Sequence, residues 1–140
     1  LKDATQFYGI ASEIFIKMNK KTQAAQIKNN MANIYERNDQ KDEALKQADE
    51  ASSILWGIND TASYLVTKAN YGDLLRKMDR HEESIQILEK LLPMAHKSFY
   101  PDFDGQLYQS IGMAQYKLSD TAMALVNYFK ARDIYQLHGL

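Results

Sequence analysis

One residue pattern returns along this chain at a fixed spacing of forty residues, and that period restricts the fold more than any other feature. Positions 4, 44, 84 and 124 hold Ala4, Ala44, Ser84 and Ala124. Four residues on come Tyr8, Ala48, Leu88 and Tyr128, and three further on Ala11, Ala51, Leu91 and Ala131. Ten after each start stand Ile14, Ile54, Met94 and Ile134. Steps of four and three place these side chains on one face of a helix. A second set precedes three of the starts: Met31-Ala32, Tyr71-Gly72 and Ile111-Gly112, followed by Tyr35, Leu75 and Gln115. The small residue lets two helices approach, and the large ones fill the space beside it. A chain with such a period repeats one supersecondary unit, and each unit covers its apolar face with a neighbour.

The composition agrees with helices. Ala, Leu, Lys, Gln and Glu are abundant, and all are good helix formers. Only two prolines and six glycines occur in 140 residues, and Asn-Gly and Asp-Gly turns are absent. The fold expected is all-α: a right-handed solenoid of about seven antiparallel helices in a single domain spanning 1–140. Punctuation sets the limits. Residues 1–19 form the second helix of a preceding repeat, with the helix over Lys2–Asn19, so the natural protein is expected to continue upstream. Repeat one covers 22–56, with helices Thr22–Arg37 and Lys41–Leu55. Trp56–Asp60 is expected as a loop in which Asn59 or Asp60 caps the next helix. Repeat two covers 61–97, with a helix ending near Lys77 and another over His81–Lys97, which Pro93 should kink or end early. Phe99–Asp104 is expected as the longest connection. Repeat three covers 103–137, with helices Gly105–Leu118 and Thr121–Leu137.

The fragments Gly-x2-Tyr and Ala-x3-Tyr-x2-Ala resemble the tetratricopeptide repeat (TPR). The resemblance covers nearly the whole chain and is stronger in the second half of the motif. The motif's Trp position holds Lys28, Lys68 and Tyr108, and its closing Pro position holds Trp56, His96 and Gln136. The period of forty is longer than the usual repeat and is similar to the lengthened repeats of kinesin light chains and bacterial peptide-sensing regulators. HEAT-like repeats have comparable periods and are the structural alternative.

The resemblance implies a concave groove lined by the first helix of each repeat. Its groove positions fall on Gln26, Asn29, Asn30, Asn33, Glu36 and Arg37 in repeat one. In repeat two they are Val66, Ala69, Asn70, Asp73, Arg76 and Lys77, and in repeat three Gln106, Gln109, Ser110, Met113, Tyr116 and Lys117. Carboxamides offer a donor and an acceptor and can pair with an extended backbone without demanding a sequence. Asn is a poor helix former, so Asn29, Asn30 and Asn33 in one helix cost helix propensity, and they read either as binding groups or as a polar solvated face. The family's carboxylate clamp is only half present. Asn33 and Asn70 match it, but Asn29, Gln106 and Ser110 replace its basic groups.

No catalytic constellation is legible. His81, His96 and His138 read as solvated helix-end residues, and His81-Glu82-Glu83 lacks the second histidine of a zinc motif. The paired acids Asp49-Glu50 and Glu82-Glu83 read as solvated faces. There is no Gly-x-Ser-x-Gly elbow and no phosphate loop. The absence of cysteine removes thiolate nucleophiles, thiolate metal sites and disulfides. The formal net charge of −1 gives no nucleic-acid or membrane footprint. The expectation is therefore a protein- or peptide-binding module, not an enzyme, with no cofactor and no metal, forming the sensory or scaffolding part of a larger regulator. The alternative is a structural array without a groove ligand. One stripe on the last helix stands apart: Met123, Val126 and Phe129 occupy outward positions that are Glu43, Lys46 and Asp49 in repeat one. That stripe reads as a covered interface, by self-association or by packing within the protein.

Overall fold

The computed structural model describes residues 2–97 and 101–139, without the Pro101 side chain. Among the described residues there are seven helices and no strand: α1 (Lys2–Lys17), α2 (Lys21–Arg37), α3 (Lys41–Gly57), α4 (Thr61–Lys77), α5 (His81–Ala95), α6 (Pro101–Lys117) and α7 (Thr121–Leu137). The chain divides into two compact units, Leu1–Tyr71 and Gly72–Leu140. In the first, α2 packs on α1 and on α3. In the second, α6 packs on α5 and on α7.

Helices α1, α2, α3, α4 and α6 end in one register, at multiples of twenty residues from one another, for one backbone reason. Asn19, Asp39, Asn59, Asp79 and Ser119 all have φ between 57° and 64°. In each case the following N–H bonds back across the turn. Lys20 donates to the Phe15 carbonyl, Gln40 to Tyr35, Asp60 to Leu55, Arg80 to Leu75 and Asp120 to Gln115, at 2.7–3.0 Å. This is the Schellman ending, which satisfies carbonyls that the helix leaves open. Asn and Asp tolerate the left-handed region better than other non-glycine residues. The next helix starts two residues later. Asp60 and Asp120 accept the N–H of Ser63 and Met123, whereas Lys20, Gln40 and Arg80 provide no side-chain cap.

Three expected boundaries differ. Trp56 and Gly57 are the last residues of α3 rather than a loop, because the turn is made by Asn59 and the capping by Asp60. The expected connection Phe99–Asp104 is helical from Pro101 onward; Phe99 itself lies outside the described residues. Pro101 opens α6, where a missing N–H costs nothing. Asp102 and Asp104 follow in the first turn, where the helix dipole favours acids. Pro93 is exposed and α5 runs two residues past it to Ala95, which leaves it at 15 residues against 17 for α2, α3, α4, α6 and α7.

The small repeat positions lie at helix contacts, as their spacing requires. Ala44, Ala51, Ala124 and Ala131 are at most 2% exposed, and Gly72 and Gly112 are buried. A Cβ added to Gly72 would lie 2.7 Å from Leu88 Cδ2, and one added to Gly112 would lie 3.0 Å from Tyr128 Cε1. Gly105 is held the same way, with Tyr135 Cε1 2.6 Å from an added Cβ.

Candidate protein-binding faces

In the first unit the polar residues of α2 divide into two groups. Asn29 is half-buried, and its amide donates to Thr67 Oγ1 of α4 at 3.0 Å. Lys28 ion-pairs with Glu50 of α3, and Lys68 with Asp49 at 2.8 Å. Lys68 also lies 4.3 Å from the centroid of Tyr71. The two lysines stand where the repeat motif has Trp. Their stems fill that space, and their charges are met by the acids of α3. Asp49 and Glu50 are therefore partners of lysines and not a purely solvated pair.

The second group points to solvent. Gln26, Asn30, Asn33 and Arg37 of α2 are exposed, and so is Asn70 of α4. The carboxamides of Gln26, Asn30, Asn33 and Asn70 form no hydrogen bond with the described residues. Val66, in the same set of positions on α4, is 52% exposed. At the end of α3, Trp56 is 57% exposed and its ring lies 4.9 Å from that of Tyr64, tilted by 53°.

In the second unit Asp73 and Arg76 are half-buried and form an ion pair at 3.4 Å. Lys77 is exposed at the end of α4. On α6, Gln109 is exposed and accepts the Tyr135 hydroxyl at 3.2 Å. Met113 is half-buried, and Tyr116 is 60% exposed. A cleft of about 410 Å³ opens between α6 and α7, lined by Gln109, Tyr128, Ala131, Arg132, Tyr135 and Gln136. Burial raises the pKa of Tyr135, and the charge of Asp102 adds to it. Burial raises Tyr108 likewise, with Asp104 adding.

The histidines do not share one environment. His81 is 9% exposed, with Nδ1 buried and unpartnered, and is not the solvated residue its sequence position suggested. His96 Nδ1 meets the Asp104 carboxylate, whose other oxygen is buried without a partner. His138 is exposed. Among the described residues no group of three His, Cys, Asp or Glu could hold a metal ion, and no helix is long and apolar enough to cross a membrane.

Antiparallel-type hairpins repeated at forty residues, small residues at their contacts and a polar face on the first helix of each define a TPR-like helical-repeat protein. Solved structures agree. BtubC (BKLC) from P. vanneervenii superposes with a TM-score of 0.85 at 19% identity, over 96% of this chain and 56% of that one. A protein of Podosopora anserina described as a kinesin light chain with nearly identical TPR-like repeats gives 0.80 at 14% identity, over 99% and 68%. MamA gives 0.67 at 17% identity, over 96% and 80%. At these identities the likeness is one of fold, and this chain spans little more than half of BtubC. No curated protein sequence matches it. The profile of the soluble NSF attachment protein (SNAP) family matches residues 1–98. The chain belongs to that family.

Proposed function

We propose that this chain is a non-catalytic protein-interaction module of a regulatory or scaffolding protein, and that it binds an extended peptide segment. The binding face proposed lies in the first unit, on α2 and on residues 61–71 of α4. The observation that carries this reading is the set of unpartnered, exposed carboxamides on α2 and α4, namely Gln26, Asn30, Asn33 and Asn70. The three asparagines, of poor helix propensity, and Gln26 are held there without an internal partner, and each can donate to and accept from a peptide backbone. Val66 beside them offers apolar contact for alternate side chains of a bound strand. Asp73, Arg76, Lys77, Gln109, Met113 and Tyr116 would give the corresponding selectivity in the second unit. The family is named for attachment to NSF, which supports a protein partner over a small molecule.

Affinity selection from a random peptide library, followed by calorimetry on a selected peptide, tests the reading. Asn33→Ala and Asn70→Ala should each weaken binding by about 1–3 kcal/mol, the range for an unpaired polar group. Unchanged affinity in both variants removes the backbone-pairing idea.

A second reading, a structural array, is favoured by one observation. Met123, Val126 and Phe129 are 46%, 43% and 46% exposed along α7. Three aligned apolar side chains form a patch suited to cover by another protein surface. Changing them to Glu, Lys and Asp should lower the affinity of any partner that covers this patch while leaving the helix content intact. A partner insensitive to the triple change does not use it.

A further inference from the structure

We propose that Trp56, braced by Tyr64 and flanked by the carboxylate of Asp60, is a docking point for an arginine side chain of a partner protein. All three residues stand at the junction of α3 and α4, inside the first unit. Trp56 lies in the last turn of α3 and is 57% exposed, with its ring 4.9 Å from that of Tyr64 and tilted by 53°. Asp60 is tied to both helices. Its N–H donates to the carbonyl of Leu55, next to Trp56, at 3.0 Å, and its own carbonyl accepts the N–H of Tyr64 at 2.9 Å. The carboxylate is therefore held one helical turn from Tyr64 and close to the end of α3. One of its oxygens accepts the Ser63 N–H at 3.1 Å, and the group is in no ion pair with the described residues. The fold does not ask for aromatic rings here. The same two repeat positions hold Ile16 and Ala24 at the α1–α2 junction, and His96 and Asp104 at the α5–α6 junction.

The chemistry of this corner selects its occupant. An indole face attracts a cation more strongly than a phenol or phenyl face does. Elsewhere in the chain the weaker rings have cations of their own: Lys68 lies 4.3 Å from the centroid of Tyr71, Lys130 5.1 Å from that of Tyr108 and Arg132 4.8 Å from that of Phe129. The one tryptophan has none among the described residues. Asp60 is the only charged residue from Ala51 through Thr67, so the junction carries a negative charge that the neighbouring sequence does not balance. A partner's cation supplies what both groups lack. Guanidinium fits better than ammonium, because it is planar and stacks on an aromatic face while its edge N–H groups reach a carboxylate. Tyr64 packs against the indole and limits its rotamers, which lowers the ordering cost of binding. The site differs in residues and chemistry from the carboxamides of α2 and α4, and it stands whether or not those bind a peptide.

Trp56 is the chain's single tryptophan, so its fluorescence reports on this corner alone. Titration of the chain with acetyl-arginine methylamide at constant ionic strength should change that fluorescence along a saturable curve with a midpoint of about 10 mM, the strength of one isolated weak contact. Acetyl-citrulline methylamide, the neutral isostere, should give no saturation. Asp60→Asn keeps a good helix cap and removes the charge. It should raise the midpoint about two- to fivefold, the range for an exposed ion pair. Tyr64→Leu, which leaves cap and charge in place, should raise it likewise, and Asn33→Ala should leave it unchanged. An arginine curve without saturation up to about 100 mM overturns the proposal. So does citrulline binding equal to that of arginine, or an unchanged midpoint in either Asp60→Asn or Tyr64→Leu. Tetramethylammonium bound more tightly than arginine assigns the corner to a quaternary ammonium ligand, and loss of the response in Asn33→Ala moves the cation to the α2–α4 face; either result also overturns it.

Discussion

The hairpins α2–α3 and α6–α7 are built on the same register and are filled in opposite ways. In the first, the paired positions are Ala32 with Ala48 and Ala25 with Leu55. In the last, they are Gly112 with Tyr128 and Gly105 with Tyr135. Where the first helix gives up its Cβ, the second carries a ring against the bare backbone. Their polar interiors differ too. Asn127 donates to Gln115 at 2.7 Å inside the last hairpin, at the positions where the first has Gln47 and Tyr35 and leaves Gln47 Oε1 buried without a partner. Across the first hairpin, Lys28 reaches Glu50. Twenty-two residues apart in the last, Lys130 lies 5.1 Å from the centroid of Tyr108. The lesson is that the repeat keeps the position of a cross-hairpin contact, and at Ala25–Leu55 against Gly105–Tyr135 its joint volume, while the chemistry of the contact is open to exchange.

The largest expected effect breaks the volume match. Gly112→Leu drives a side chain into Tyr128 and the backbone near Ala124, whose carbonyl oxygen would already lie 3.2 Å from a Cβ. Overpacking of this kind costs about 1–3 kcal/mol. Adding Tyr128→Ala should return part of the loss, a coupling that thermal melts of the double-mutant cycle would resolve. Additive losses would mean that the two positions do not share one space.

How much of this was legible in the sequence depends on what each residue signals. The face-to-face positions were legible, because Ala, Gly and Ser at fixed spacing have no other reason to recur. The pairing of Gly105 with Tyr135 was missed, since the glycine was read only as a helix start. The loop expected over Trp56–Asp60 began two residues too early, since Trp56 and Gly57 are still helical. The left-handed residue is Asn59, one of Asn19, Asp39, Asn59, Asp79 and Ser119 at twenty-residue spacing. That series was visible and could have fixed every described turn. The span Phe99–Asp104 was expected as a connection although it holds Pro101, a residue that suits first helical turns as well as loops. The burial of His81 had no signal, since its counterparts Lys41 and Thr121 are half-buried and exposed. Of the candidate face, the sequence showed which carboxamides share a helix, but not that Asn29 is spent on Thr67 while Asn30 and Asn33 remain open.

A smaller effect sharpens the contrast between the cross-hairpin contacts. Glu50→Gln leaves Lys28, 15% exposed at its side chain, without its counter-charge. Because Glu50 is itself 39% exposed, water screens the loss to about 1 kcal/mol. Lys130→Ala removes only an exposed cation–π contact and should cost about 0.5 kcal/mol. Urea melts at low and high salt should separate them, with salt eroding the Lys28–Glu50 contribution more than the other. An equal salt response would show that the Lys28 contact is packing by its stem and not charge.

The smallest effect expected lies in alkali and belongs to the α6–α7 hairpin. Burial holds the hydroxyl protons of Tyr108 and Tyr135 more tightly in the folded state, with Asp104 and Asp102 respectively adding repulsion to the phenolate. A raised folded-state pKa means that the folded chain binds more protons than the unfolded chain once pH passes the ordinary tyrosine value of about 10. Stability from these groups is therefore complete below that pH and falls as pH rises through the folded-state values. Both rings are half-buried rather than sealed from water, so the slope should be shallow. Tyr135→Phe removes one titrating group, as well as the hydrogen bond to Gln109. That variant should be slightly less stable at pH 8, yet lose less stability between pH 8 and pH 11 than wild type does. Urea midpoints at the two pH values measure the difference directly. An equal fall in both proteins would assign the alkaline loss to lysine neutralisation instead, and the last hairpin would then owe its aromatic filling to volume alone.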